Sequence, residues 1–186
     1  EGWYANIPLG FEFWYMGTLV NNIHASTNGV ISLSQTNLPS AAASNNTFSG
    51  NSGAFYRPLV APLWDNLDMD TLSGAEFSYV TTGVAPYRVF TAQWKNAEWN
   101  WFANDATISF QAKFYETTGV IEFVYQPETA VAFSPSATIG VSGVVNTTYL
   151  SLNGTGVSPT VSSSVSYNTL NTKPANGQSY EIGRAH

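Results

Sequence analysis

The sequence lacks cysteine and has few charged residues, and both shortages limit what the protein can do. It has 186 residues and no cysteine, which excludes disulfides, thiolate catalysis and cysteine-ligated metals. Charged residues make up 10% of the chain, against about 25% in a typical globular protein. Six Lys and Arg are outnumbered by twelve Asp and Glu, so the formal net charge is −6. The chain therefore has no basic surface for nucleic acid or for an anionic membrane.

Long apolar runs and targeting signals are also missing. No stretch reaches the roughly 18 apolar residues that predict a transmembrane helix, and no signal peptide is present. Glu1 is not a typical native start, so we expect a mature product or a segment of a longer protein. The length predicts one domain over residues 1–186. A domain of that size can bury a core without disulfides or metals.

Aromatic, hydroxyl and amide side chains are abundant instead. Aromatic residues make up 15% of the sequence, including six Trp and ten Tyr. Ser, Thr and Asn fill many positions where charged residues are usual. A neutral surface rich in hydroxyl groups is common among extracellular β-proteins, so we expect a secreted protein that works outside the cell or at its surface.

Strand signals run along the whole chain, and almost nothing predicts a helix. Short runs of β-branched and aromatic residues lie between Gly, Asn and Pro. Residues 27–29 (Thr-Asn-Gly) predict a tight turn between two strands, because Asn and Gly tolerate the positive φ of hairpin turns. Residues 75–83 and 87–96 predict a second strand pair, and residues 106–126 a third. About ten to twelve such strands predict an all-β fold, an antiparallel two-sheet β-sandwich of jelly-roll-like type.

Two long segments interrupt the strand pattern. Residues 35–53 form a polar loop of small residues. Residues 154–177 are rich in Ser and Thr, with one strand expected inside. Loops of this length are often functional or act as linkers.

Six motifs follow one another in an order that resembles a known module. They are IPLGFEFWYMG, IHASTNGVISL, LVAPLWDNLDMD, YVTTGVAPYRVFTAQWKN, ISFQAKFYETTGVIEFVY and SATIGVSG. Over residues 7–143 the series resembles a β-sandwich module of type IX-secreted surface proteins and adhesins of gliding Gram-negative bacteria, and more distantly the nidogen-like domain. The resemblance implies an extracellular module and brings no catalytic set with it. The residues that match the pattern are Gly10, Phe13, Gly17, Asn28, Gly29, Ala61, Pro62, Trp64, Asp65, Arg88, Gln93, Trp94, Gln111, Tyr115, Glu116, Ile121 and Tyr125.

An acidic cluster follows the apolar run that ends at Trp64. Asp65, Asn66, Asp68 and Asp70 place four side chains with oxygen donors within six residues. Hard cations such as Ca²⁺ take roughly six to eight oxygen ligands, so these residues predict a calcium site, although their spacing is not that of an EF-hand. The alternative is structural, because Asx side chains readily accept hydrogen bonds from local backbone amides and cap turns.

A tryptophan-rich segment predicts either a ligand platform or internal packing. Trp94 is expected to face the core. Trp99 and Trp101 are two residues apart, so in an extended strand their side chains point to the same face. Both are therefore candidates for one exposed face. The other residues of this predicted ligand-binding site are Asn100, Asn104 and Asp105. Trp rings stack on sugars and offer a polar N–H, but packing beneath a loop or against a second protein explains the segment equally well.

Three glutamates are candidates for catalysis. Glu98, Glu116 and Glu122 lie near the aromatic segment or beside a hairpin turn, and glycosidases need two carboxylates roughly 5 to 10 Å apart. The ordinary interpretation is solvated or edge-strand Glu. His24 and His186 are too widely separated to make a strong zinc or triad site, so we expect His24 to be an ordinary strand residue.

Thr71 is a predicted modification site. The tripeptide at 70–72, Asp-Thr-Leu, fits the short O-glycosylation pattern of the bacteria that carry such modules. The pattern is three residues long, so it also occurs by chance.

Taken together, these features predict a non-enzymatic extracellular adhesion or interaction module of a surface or secreted multidomain protein. The expected partner is a protein or glycan surface, or further copies of the chain joined through sheet edges, with no nucleic acid and no membrane insertion. Residues 154–177 and 178–183 are the expected donors for such edge pairing. Two alternatives stay open: a carbohydrate-binding module with an exposed Trp platform, and a jelly-roll enzyme that acts on glycosides. No cofactor is certain, and calcium is the candidate.

Overall fold

The computed structural model describes residues 2–34, 47–50, 56–69, 74–100, 102–103 and 105–184. In these ranges it contains thirteen β-strands and no α-helix. The strands are β1 (Trp3–Tyr15), β2 (Thr18–Ser26), β3 (Val30–Ser32), β4 (Leu59–Trp64), β5 (Leu67–Asp68), β6 (Glu76–Thr82), β7 (Val89–Trp99), β8 (Ile108–Tyr115), β9 (Val120–Pro127), β10 (Thr138–Ser142), β11 (Tyr149–Leu152), β12 (Val161–Ser162) and β13 (Ser179–Arg184). Nothing in the described part of the chain forms a helix of the length and apolarity that crossing a membrane requires.

The strands form two antiparallel sheets. The first has seven strands in the order β1-β2-β3-β4-β10-β11-β12, and the second has six, in the order β13-β9-β8-β7-β5 with β6 also paired to β7. Most neighbours are consecutive in the chain, which passes between the sheets after β4, after β9 and after β12. The predicted all-β sandwich is thus confirmed. β5 and β12 have two residues each, too few to be recognised from periodicity.

Aromatic side chains fill the space between the sheets. In β8, buried residues such as Phe110 and Phe114 alternate with partly exposed ones. Phe13 of β1 meets Phe114 edge-on, with ring centroids 5.2 Å apart, and Trp94 stacks on Phe110 at 5.0 Å. The indole N–H of Trp94 donates to the carbonyl of Ser26 at 2.9 Å. Full burial of each Phe contributes about 2 kcal/mol, and the Phe13–Phe114 and Trp94–Ser26 contacts join the two sheets.

The predicted hairpins are present. The chain turns between β2 and β3 at Gly29, which has a φ of 72°. β6 pairs with β7 along its whole length, and β8 pairs with β9 across a turn in which Gly119 has a φ of 63°. β12 is the strand expected inside residues 154–177.

A second apolar cluster covers the outer face of the seven-stranded sheet. β4 is buried along its whole length, because its side chains face the core and this cluster in turn. Phe48 lies against Trp64 and Tyr149, with ring centroids 6.4 and 6.2 Å away. The buried Arg57 donates from Nη2 to the carbonyl of Phe48 at 2.6 Å. The described part of the predicted loop 35–53 is therefore packed on the sheet, and the rest of that loop lies outside the described residues.

The turns are gathered at two opposite ends of the sandwich. The Asp65 end comprises the turns after β2, β4, β7 and β9, and there the amide of Asp65 donates to the carbonyl of Asn28 at 3.3 Å. The Tyr15 end comprises the turns after β1, β6, β8 and β10, and there the hydroxyl of Tyr15 donates to the carbonyl of Ser142 at 3.0 Å. Each end combines turns from both sheets.

Candidate functional site

The Asp65 end joins two segments that the sequence presents separately. The indole N–H of Trp99 donates to Oδ2 of Asp65 at 2.7 Å. β5 pairs with the end of β7, so Leu67 lies opposite Trp99 and Asp68 lies opposite Glu98. The described residues of the acidic cluster and of the tryptophan-rich segment therefore lie side by side.

The carboxylate of Asp65 is fully used by donors of the protein itself. Oδ2 accepts from the amide of Ser136 at 2.6 Å as well as from Trp99. Oδ1 accepts from the amide of Asn66 at 2.8 Å and from the hydroxyl of Ser136 at 3.3 Å. A carboxylate offers about four lone-pair sites, and these bonds to the protein engage both oxygens of Asp65. Asp65 acts as the turn cap that the structural alternative describes, and it ties three turns together.

A bulge in β7 turns Trp99 inward. Trp94 and Ala97 are both buried, and the register between β7 and β8 shifts between them. Asn96, inside the shift, has a φ of 53°. One extra residue in a strand moves every later side chain to the other face. Trp99 is accordingly 0% exposed and not on an exposed face, so internal packing is the alternative that describes it.

The other residues of the predicted ligand platform lie in the turn after β7. Oδ1 of Asn100 accepts from the amide of Phe102 at 3.2 Å, and Oδ1 of Asp105 accepts from the amide of Ala106 at 2.7 Å. Both side chains thus cap the turn, and Trp101 and Asn104 lie outside the described residues. A ligand role for this set stays a prediction.

Two exposed phenylalanines of the described part of the Asp65 end form a pair that the sequence did not predict. Phe102 and Phe133 are about half exposed, and their ring centroids lie 5.4 Å apart. Phe133 is held in place because its amide donates to the carbonyl of Trp99 at 3.2 Å. Their pairing depends on two distant loops meeting, for which the sequence has no local signal.

The predicted calcium ligands are only partly described. Asn66 and Asp68 are partly exposed, whereas Asp70 and the predicted modification site Thr71 lie outside the described residues. Within the residues that the structure describes, no group of three His, Asp or Glu side chains is arranged to hold a metal. Calcium binding by this cluster, with Asp65 already satisfied, stays a prediction.

The glutamates that were candidates for catalysis take part in contacts within the protein. Glu116 accepts from Nε and Nη2 of Arg88 at 2.8 and 2.5 Å, and this pairing lowers the pKa of Glu116. Glu122 accepts from the hydroxyl of Tyr115 at 2.5 Å; burial and this bond raise the pKa of Tyr115 to about 12. Glu98 is 8% exposed. Paired in this way, Glu116 and Glu122 serve cross-strand contacts.

His24 is an internal strand residue. It is 1% exposed, and its Nδ1 accepts from the amide of Asn6 at 3.4 Å. Burial lowers the pKa of His24 below its ordinary value of 6.5. The neutral imidazole is therefore the form that the fold holds.

The Tyr15 end contains an apolar cavity of about 370 Å³. It opens between the two sheets, and its lining carries no charged side chain. The lining residues are Tyr15, Met16, Val141, Ser142, Gly143, Thr147, Thr148, Tyr149, Leu150, Ser163 and Ile182. They come from five parts of the chain, so sequence patterns did not point to this cavity. Its volume lies in the range of about 300 to 1,000 Å³ that is usual for ligand sites.

Fold and site together define an all-β sandwich module whose polar side chains mainly secure its own turns. The family model described as NIDO related matches residues 1–182. The chain belongs to this family, which gives it a nidogen-like link to extracellular, non-catalytic modules. No curated protein and no solved structure matches the chain.

Proposed function

We propose that the protein is a non-enzymatic extracellular interaction module that binds a partner protein at the Tyr15 end. The observation that carries this proposal is the apolar cavity of about 370 Å³ beside an open stretch of sheet edge. Membership of the NIDO-related family supports an extracellular, non-catalytic role. The motif resemblance to adhesins supports a parent that is a secreted or surface multidomain protein.

An extended segment of the partner fits this end of the sandwich. β12 pairs only with Ser151 and Leu152 of β11. In the described part of the chain, no strand continues this edge beside Tyr149 and Leu150. A partner segment that prolongs the line of β12 gains main-chain hydrogen bonds, and its alternate side chains point toward the sheet face. One of these side chains then enters the cavity.

The anchoring side chain of the partner is uncharged and apolar. A charge buried without a partner is strongly unfavourable, and the cavity lining has no ionisable group except the hydroxyls of Tyr15 and Tyr149. Met16, Val144 and Val145 are exposed in the turns that border the lining. They extend the apolar surface that a partner covers.

The test is selection of peptides from a displayed random library on the wild-type protein. We expect enrichment of extended sequences rich in β-branched and aromatic residues. Leu150→Glu places a charge at the cavity and edge, so it should weaken the selected peptides by about a hundredfold or more. Fluorescence polarisation with labelled peptides measures this difference.

The matched control is Val157→Glu, which adds the same charge on an exposed loop away from the cavity. It should bind the selected peptides as the wild type does. Peptides that bind Leu150→Glu and the wild type equally well would place the partner surface elsewhere and overturn the proposal.

Calcium binding by the acidic cluster of Asp65, Asn66, Asp68 and Asp70 is a separate proposal. A ligand that binds only the folded state at a hundredfold excess over Kd stabilises it by about 2.7 kcal/mol. Thermal unfolding with Ca²⁺ and with excess chelator measures this gain. A rise in Tm that Asp68→Ala abolishes supports a calcium site, and the absence of any shift in metal-free protein refutes it.

A further inference from the structure

The outer face of the six-stranded sheet carries a row of mostly polar side chains that the proposed partner site does not use. Gln93 of β7 lies directly opposite Gln111 of β8. The row continues to Ser78 on β6 and, on the other side, to Val124 and Ser179 on β9 and β13. Neighbouring strands lie about 4.8 Å apart, so the row crosses five strands in a line.

The two glutamines at the centre of the row orient each other. Nε2 of Gln111 donates to Oε1 of Gln93 at 2.7 Å. In the described part of the chain this is their one side-chain hydrogen bond, so the amide N–H groups of Gln93 and the carbonyl of Gln111 remain available. The pair presents donors and an acceptor side by side on two central strands, which hold side chains more firmly than loops do.

Two shallow depressions meet at this pair. One, of about 520 Å³, runs toward β6 and includes Thr91 and Lys113. The other, of about 190 Å³, runs toward β9 and is bounded by Asn176. Gln93 and Gln111 line both depressions, so together these form one groove across the sheet.

The groove combines polar groups at its centre with apolar side chains such as Val80 and Val124, and it offers no strong charge to a ligand. Lys113 lies 4.0 Å from Glu122, and Ser109 donates to Glu128 at 2.8 Å. The chain as a whole has a net charge of −6, which disfavours anionic ligands. A protein partner favours an apolar centre with aromatic anchors, whereas the centre here consists of two amides.

We propose that this groove binds a neutral oligosaccharide across the Gln93–Gln111 pair. Each sugar hydroxyl both donates and accepts a hydrogen bond. Adjacent hydroxyls are therefore complementary to a fixed donor and acceptor that lie side by side. The hydroxyls of Ser78 and Thr91 and the amide of Asn176 provide further partners along the groove. This site is on the sheet face, not at the Tyr15 end, so the two proposals stand or fall separately.

The test is a printed array of neutral and acidic oligosaccharides probed with the wild-type protein, followed by calorimetric titration of the strongest neutral ligand. We expect binding to neutral members in preference to acidic ones. The double variant Gln93→Ala/Gln111→Ala should lose about tenfold or more in affinity, because at least two hydrogen bonds disappear. Circular dichroism and Tm confirm that the variant is folded.

The matched control is Gln178→Ala, which removes the same side chain at a position outside both depressions. It should bind as the wild type does. The proposal is overturned if the wild type binds no neutral oligosaccharide on the array, or if the double variant binds as tightly as the control.

Discussion

Asp65 is the single residue on which the Asp65 end depends most. Its buried carboxylate accepts from the amide of Ser136, from the indole of Trp99 and from the amide of Asn66. Asp65→Ala leaves these buried donors without an acceptor, so we expect the free energy of unfolding to fall by about 3 kcal/mol. Urea unfolding at neutral pH measures the loss.

Asp68→Ala, compared with Asp65→Ala in excess chelator so that calcium binding does not contribute, is the control for this prediction. Asp68 is partly exposed, and a substitution at such a position changes stability by about 0.5 kcal/mol. Equal effects of the two substitutions would show that the Asp65 carboxylate is not what holds these turns.

His24 gives the protein a defined response to acid. Because burial lowers its pKa below 6.5, the unfolded chain takes up a proton that the folded protein refuses. Stability decreases as pH decreases wherever the unfolded state binds more protons than the folded state. The contribution of His24 is therefore lost as pH drops below its ordinary pKa of 6.5.

Unfolding free energies measured between about pH 5 and about pH 8 test this contribution. His24→Gln removes the titrating group, so the variant should lose less stability than the wild type on going from neutral to mildly acidic pH. Identical slopes for the two proteins would mean that His24 takes up its proton in the folded state as readily as in the unfolded chain.

At the scale of elements, the β2–β3 turn depends on a glycine for two reasons. Gly29 has a φ of 72°, and a Cβ there would lie 2.0 Å from the carbonyl oxygen of Leu63 on β4. Gly29→Ala must therefore strain the turn and push β4 away. We expect a loss of about 3 kcal/mol or failure to fold, measured by urea unfolding or by the yield of folded protein.

Gly17 distinguishes the cost of the left-handed backbone from the cost of the contact with Leu63. It lies in the β1–β2 turn with a φ of 78°, but a Cβ there meets nothing within 4 Å. Gly17→Ala should cost only the left-handed backbone penalty of about 1 to 2 kcal/mol. If both alanine variants lose the same amount, the contact with Leu63 contributes nothing.

The strands were predictable because successive side chains of a strand point to opposite faces of the sheet, so apolar and polar residues alternate in the sequence. The alternation fails where a bulge intervenes, as it does near Asn96 in β7. From residue type alone, an added residue in a strand looks like any other, so the sequence left open whether Trp99 lies on an exposed face or is packed internally. The bulge also explains how one strand contributes both Trp94 and Trp99 to the interior.

The candidate site was predictable only in its local part. An aspartate after a buried strand indicated a turn cap, and Asp65 does accept from the next amide. Its bonds to Trp99 and Ser136 link residues 34 and 71 positions away. Contacts across such separations depend on how whole strands pair, which local periodicity does not specify. The cavity at the Tyr15 end was not predictable for the same reason, because its lining comes from five separate parts of the chain.

At the scale of the whole molecule, the sheet edges differ in how well they are protected. β1 has two register shifts, and its carbonyls at Leu9 and Gly10 accept from side chains of Thr81 and Arg88 at 2.7 and 2.5 Å. Bulges and side-chain caps of this kind prevent edge-to-edge pairing.

The edge strand β6, by contrast, has seven residues. Within the described residues no strand pairs with its outer side. Self-association of copies, which we propose as a second property of the module, is therefore expected at β6.

Self-association at β6 should depend on salt, because the chain carries a net charge of −6. Copies repel one another at about 0.01 M salt, where the Debye length is about 30 Å, and much less at about 1 M, where it is about 3 Å. We expect sedimentation to show a monomer at low salt and concentration-dependent oligomers at high salt.

Val80→Lys places a charge on the β6 edge and should restore the monomer at high salt. Val157→Lys, with the same change of charge on an exposed loop, should not, and a wild type that stays monomeric at high salt and high concentration refutes edge pairing.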